Sequence, residues 1–308
     1  MATPFTVIVP KDITDSNLVS STITETGSEA AQGIYNSGSS YALNDVVIVT
    51  TGVHRKYKSL TGTANLNKYP PTNPTYWVDL GPTNKFAMFD QTGGTVTSST
   101  TGVLEFVFTA DRVNSMGFLD VNASSIRIRA NDGVTTYYDQ TYNLPDRAIV
   151  QNWYDYFYTE SFRTTELIVK DIPPLSGSTY TVTITNTASN TSIGNFIYGS
   201  FSEIGNTQYG ANVGIVDYSK KIVDEFGIAT LVKRTFSKKV DMRIYVENAA
   251  IDAVCSKLNS LRATNCLWAG STGVYESLTV FGFYKDYSID ISYPTYSVLS
   301  IQIEGLTQ

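Results

Sequence analysis

A mainly β protein of three folded parts is what the sequence predicts: a very small β module, an antiparallel β-sandwich and a C-terminal α+β unit. Three observations predict it. Aromatic residues are abundant at 12% and charged ones sparse at 16%, and Thr and Ser crowd the apolar stretches, a mix that suits a pleated, half-buried face. Apolar residues recur with period two over many short stretches separated by Gly, Pro and Asn turn signals. One stretch, Ile251 to Leu261, carries the three- and four-residue spacing of an amphipathic helix instead. At 308 residues the chain exceeds the usual size of a single core, so two or three domains are expected.

Composition also narrows the function. The formal charge of −6 argues against a nucleic-acid partner, whose phosphates call for clustered Lys and Arg. No apolar run approaches the roughly 20 residues that span a bilayer, so membrane insertion is not expected. The N-terminus lacks a basic segment followed by an apolar one, so a secretory signal is not expected either. Cys255 and Cys266 have no metal-ligand spacing and read as buried free thiols of a protein made in a reducing cytosol.

Residues 1–30 read as an N-terminal arm. Phe5 to Val9 gives one short apolar alternation before a Ser/Thr-rich stretch, suited to packing on another domain or a neighbouring subunit. Residues 31–82 form the small module. Asp45-Val46-Val47 and Tyr57 fall on two short strands joined near Thr51-Gly52, and Pro70, Pro71 and Pro74 set an extended path to Trp77. So small a unit has little core and must lean on its aromatics.

Residues 83–204 alternate steadily. Leu104, Phe106 and Phe108 share a face, as do Ile126 and Ile128, and Tyr180, Val182 and Ile184. Thr92-Gly93-Gly94, Asn131-Asp132-Gly133 and Pro173-Pro174 punctuate them. Many short strands at this spacing indicate an antiparallel sandwich, with a jelly roll the best fit. The run Trp153 to Tyr158 is too densely aromatic for one strand face. It is either a sugar- or protein-binding loop or, the preferred reading, packing between the sandwich and a neighbour.

From 205 to 308 the order is strand, helix, strand, strand, a compact α+β assembly domain. Val240, Met242, Ile244 and Val246 alternate on a half-buried strand, and Asn248 can cap the helix that follows. Lys233, Arg234, Lys238, Lys239 and Arg243 bunch around that strand, as a solvated face or a charged contact to a neighbouring subunit.

Two resemblances add to this. Tyr41-x-x-x-Asp45-x-Val47, then Tyr57, Asn67, Pro71, Tyr76-Trp77 and Gly81, resembles the chitin- and cellulose-binding modules of carbohydrate-binding families 5 and 12. Asn44 stands where the family has glycine before its aspartate, and Thr51 to Lys56 are extra residues in the turn. Such modules lay exposed aromatic faces against sugar rings. By the resemblance, Trp77 and Tyr76 are the leading carbohydrate-binding candidates, Tyr57 and Tyr35 come next, and His54 lies exposed beside them. Trp77 and Tyr57 have a second use open to them, as module core, to which Tyr41 is assigned outright. Within 83–204, Ser125 to Arg129, Tyr138-Asp139 and Leu167 to Pro174 resemble a galactose-binding-like sandwich.

No catalytic motif emerges. His54 is the one histidine, with no nucleophile elbow near it, and HExxH, CxxC, P-loop and dinucleotide fingerprints are missing. Asp155, Glu166 and Asp171 are the carboxylates to test for glycoside hydrolysis. The expectation is no enzyme and no cofactor.

The order of parts resembles tailed-phage virion proteins over nearly the whole chain. That resemblance rests on Gly81 to Asp90, Tyr209-Gly210 through Ser219, Arg234 to Lys238, Leu261 through Trp268, and Ile301 to Leu306. It implies a structural tail-tip or baseplate protein in the virion. Its partners would be other tail proteins, further copies of itself and host surface polysaccharide. The alternative is a secreted or surface polysaccharide-binding protein without catalytic activity.

Overall fold

A computed structural model of the chain describes residues 3–25, 29–147, 152–158, 162–187, 190–223, 225–227, 229–271, 275–291 and 293–307. The fold is mainly β, 51% strand and 11% helix. In chain order, β1 (Thr3–Pro10) and β2 (Leu18–Ser21) lead into the module strands β3 (Val46–Val49), β4 (Arg55–Ser59) and β5 (Trp77–Pro82). Then follow β6 (Thr97–Ser99), β7 (Val103–Ala110), β8 (Ser115–Asn122), β9 (Ser125–Asn131), β10 (Thr136–Asn143) and β11 (Asp146–Arg147). A short helix α1 (Trp153–Tyr158) precedes β12 (Phe162–Arg163), β13 (Leu167–Val169), β14 (Ser178–Thr185) and the 17-residue β15 (Thr191–Thr207). The remainder is β16 (Asn212–Asp217), β17 (Lys220–Val223), β18 (Ala229–Val232), β19 (Phe236–Glu247), α2 (Ile251–Ser260), β20 (Cys266–Ala269), β21 (Thr279–Asp290) and β22 (Tyr296–Thr307).

Six strands close on themselves. β1 pairs with β20, β20 with β21, β21 with β22, β22 with β19, β19 with β15, and β15 with β1, every pair antiparallel. Inward side chains of these strands fill the barrel: Phe5 and Val7, Met242 and Ile244, Trp268, Val280, Leu299 and Ile301. The apolar stripe of α2 adds Val254 and Leu258 to the same core, which is why the single helical period in the sequence ends up buried. The Trp268 indole Nε1 donates to the Gly282 carbonyl at 2.9 Å. A Cβ on Gly282 would lie 2.1 Å from the Glu304 carbonyl oxygen, so only glycine allows β21 to approach β22 so closely. Cys266 faces this interior, where burial pushes its thiol up to about 11, and both cysteines are free.

The expected C-terminal α+β unit is therefore part of a closed barrel. Residues 205–308 supply four of its strands. The other two come from the N-terminal segment expected to be an arm and from the end of β15. Alternation reports which face a residue takes but not which distant strand lies beside it.

A second core lies between two facing sheets. One has the order β10-β9-β14-β7-β2, and the other side is formed by β8 with the first half of β15. Phe106, Phe108, Ile126, Ile128, Tyr180 and Val182 meet Met116, Phe118, Phe196 and Tyr198 there. β15 serves both cores, with Phe196 in this one and Ile204 in the barrel, so residues 204 and 205 lie within one continuous strand.

Three small sheets are separate from these. β3, β4 and β5 form a three-stranded sheet, β11 pairs only with β12, and β17 only with β18. No helix among the described residues is long and apolar enough to cross a membrane.

Candidate functional site

The module is built from its turns inward. β3 and β4 pair with Val47 opposite Tyr57, and β4 and β5 with Ser59 opposite Trp77. Gly52 in the connecting turn has φ +75°, as the turn signal in the sequence leads one to expect. Asn44 has φ +72°, a left-handed conformation that glycine adopts freely and Asn tolerates best among the other residues. The Asp45 carboxylate then accepts from the Ala42 N–H at 2.7 Å. Residues Pro70–Thr72 form one turn of 3-10 helix rather than an extended path, with Tyr69 held extended before it (ψ 122°).

Inside, Trp77 is 2% exposed and Tyr57 7%, packed with Tyr41, Val47 and Val49. The Trp77 Nε1 donates to the Lys68 carbonyl at 2.8 Å. Asn65, fully buried, receives the Tyr41 N–H at 2.9 Å and donates to the Tyr41 carbonyl and the Ser59 hydroxyl. These contacts enclose Trp77, one of the two leading candidates, and Tyr57, one of the next two. Of the two uses open to Trp77 and Tyr57, the structure gives them the core. A unit this small has little core and leans on its aromatics for burial.

Tyr76 and Tyr35 remain half-buried at the rim. The Tyr35 ring meets Trp77 edge-on at 5.9 Å and Tyr69 at 5.9 Å. Its hydroxyl is buried without a hydrogen-bond partner, and burial, then the neighbouring Tyr41 and Tyr69, raise its pKa. Lys68 lies 5.5 Å over the Tyr76 ring. Tyr69, 37% exposed and bonded to Thr51, was not singled out by sequence reasoning. Tyr35, Tyr69 and Tyr76 thus form the aromatic surface the module leaves partly open.

His54 is not beside that surface but buried, 4% exposed, where the module meets the body. Its ring lies 4.1 Å from the Phe86 ring, and Nδ1 is 2.7 Å from the Glu25 carboxylate. Nε2 faces Asp15 at 3.5 Å without a hydrogen bond. Glu25 also accepts from the Thr83 hydroxyl at 2.5 Å. Burial by itself would raise the Glu25 carboxyl, but the hydrogen bonds from His54 and Thr83 outweigh it and hold it below its ordinary value. This joint ties residues before the module, within it and after it into one network. His54 is its only buried polar member from the module itself, and nothing adjacent in sequence marks its partner Glu25.

The candidate carboxylates have structural partners. Asp171 accepts from the hydroxyls of Tyr138 at 2.9 Å and Tyr142 at 3.1 Å. Glu166 is bonded by Lys238, although burial, its largest influence, still raises its pKa. Asp155 sits on α1. Among the described residues no group of three or more His, Cys, Asp or Glu side chains could hold a metal.

Two bare surfaces lie elsewhere. On α1, Trp153, Tyr154, Tyr156, Phe157 and Tyr158 are each 65% exposed or more, so among the described residues they are not packed against the sandwich. The other is the hairpin formed by β16 to β19, where every described residue from 217 to 236 is exposed. Sequence reasoning did not single it out; its signal is the two short β-branched or apolar runs Ile222-Val223 and Leu231-Val232 around Glu225-Phe226-Gly227.

No protein-family model matches the chain, and neither a curated protein nor a solved structure does.

Proposed function

We propose that the chain is a structural component of a phage tail tip or baseplate. It works in several symmetric copies in the virion, with the module at 31–82 turned toward host-surface glycan. The observation that carries the reading is the apolar surface left bare on two protrusions of an otherwise filled body: the aromatic helix α1 and the hairpin beyond Asp217. Contiguous bare apolar surface marks an interaction site. The role is binding and assembly, not catalysis, and it requires no cofactor. The part at 83–204 is read as a β-sandwich of jelly-roll or galactose-binding-like type, supported by the core held between its two facing sheets.

Glycan contact falls to Tyr35, Tyr69 and Tyr76, where ring faces are still reachable, and multiple copies raise weak sugar contacts to useful avidity. A second reading is favoured by the burial of Trp77: the module keeps the shape of a sugar-binding unit and serves only as a spacer. Retention on insoluble chitin or cell-wall polysaccharide separates the two. Glycan contact predicts retention by the full chain that Tyr69→Ala with Tyr76→Ala abolishes, and a spacer predicts none. The virion assignment is tested by antibody labelling of purified particles. Label at the tail end supports it, and label elsewhere or none overturns it.

A further inference from the structure

The hairpin from 212 to 241 is built to leave its own chain. β16 pairs along β19 at the edge of the large sheet, and beyond it β17 and β18 pair only with each other. Ile215, Ile222, Val223 and Leu231 are 62%, 48%, 55% and 77% exposed. A two-stranded ribbon without a covered face is marginal in water at best, and the outer edge of β16 presents unpaired backbone groups. Something must cover this arm when the protein works.

Charge says what covers it. Residues 212–239 hold six basic side chains against three acidic ones, in a chain whose formal charge is −6. The rest of the chain therefore carries all of the negative excess. Lys220, Lys221, Lys233 and Arg234 are exposed, and none of them makes an ion pair among the described residues. Two arms laid against each other would bring like charges together, whereas an arm laid on the body of another copy brings opposite ones together.

We infer that this arm docks on the body of a second copy of the same chain, head to tail. The inference rests on the assembly reading above and specifies its geometry. A head-to-tail contact uses two different patches, so repetition closes a ring or extends a filament, whereas an arm-to-arm contact would stop at a two-fold dimer. By the β17–β18 register, Val223 and Leu231 share one face of the ribbon with Lys221, and this face supplies the buried contact. The four unpaired basic residues supply attraction and orientation, and the free edge of β16 supplies backbone hydrogen bonds.

Sedimentation velocity of the full chain, at several concentrations and in low and high salt, tests this. The wild type is expected to associate at low salt and to lose association as salt rises. Val223→Asp with Leu231→Asp, on one face of the ribbon, is expected to weaken association ~30-fold or more, the size of a central contact. Lys221→Glu with Lys233→Glu, on the same face, should do the same, while circular dichroism and the melting temperature of the body stay put. Mixing decides the geometry. A labelled arm variant still offers its body, so it should co-sediment with wild type as a chain-terminating partner. If it never joins wild type, the contact is arm to arm and the head-to-tail inference is overturned. If both variants associate as wild type does, the arm inference fails while the assembly reading stands. A wild type that is monomeric at every concentration overturns the assembly reading itself.

Discussion

The module at 31–82 and the hairpin at 212–241 are both small β units carried by the same body, yet they treat their apolar side chains in opposite ways. The module folds three strands around Tyr41, Tyr57 and Trp77 and ties the Tyr41 backbone through Asn65. The hairpin has fewer large apolar residues and, from Asp217 to Phe236, covers none of those that are described. A small β unit can stabilise itself by turning its aromatics inward, and then they no longer serve as contacts. Left outward, apolar residues stay available, and the unit depends on what it binds. On the proposed assembly, the contact surface is therefore the hairpin rather than the module.

Substitutions sharpen the contrast, beginning with the largest effect. Trp77→Ala removes the centre of the module core and is expected to cost about 3–5 kcal/mol. Limited proteolysis should then cut within 31–82 while the barrel and the facing sheets survive. If Trp77→Ala melts nothing, the module is not held by its aromatics and the contrast collapses. Asn65→Ala leaves the Tyr41 N–H and carbonyl without partners in a buried place and should cost about 1–3 kcal/mol in the same assay.

The joint between module and body gives a smaller, pH-dependent effect. The Glu25 carboxyl is held below its ordinary value of 4.5. Its contribution is complete above that value and is lost as pH falls through the lower folded one. Protease access near Thr83 should rise in that acid range, and Glu25→Gln, expected to cost roughly 1 kcal/mol, should flatten the rise. An unchanged acid profile in the variant would assign the pH response to another group. Smallest of all is Leu231→Asp, which should move the thermal stability of the body by no more than about 0.5 kcal/mol. A large loss there would mean that the hairpin packs on its own chain.

Much of this fold is legible in residue periodicity. The strands at 103–110, 125–131, 178–185 and 236–247 follow their alternation, and the helix follows its apolar stripe from Ile251 to Leu261. Barrel closure is not legible, because it depends on Thr3–Pro10 meeting strands at 191–207 and 266–269. Nothing within those segments names their partners. The candidate site was legible as a place and not as an orientation. Tyr76 and Trp77 are neighbours at the start of a strand, so one must face inward, and sequence alone does not say which. His54 was misplaced for a related reason: the carboxylate that makes its burial tolerable lies 29 residues earlier. The hairpin could be read as a hairpin, but its exposure is a property of what fails to pack against it.

Hydrogen exchange of the protein in its associated and dissociated states tests the contrast most directly. The amides of β16 to β18 should be fast in the monomer and slowed strongly on association, while those around Tyr41, Tyr57 and Trp77 stay equally protected in both. Protection that appears in the module and leaves the hairpin unchanged would contradict the account.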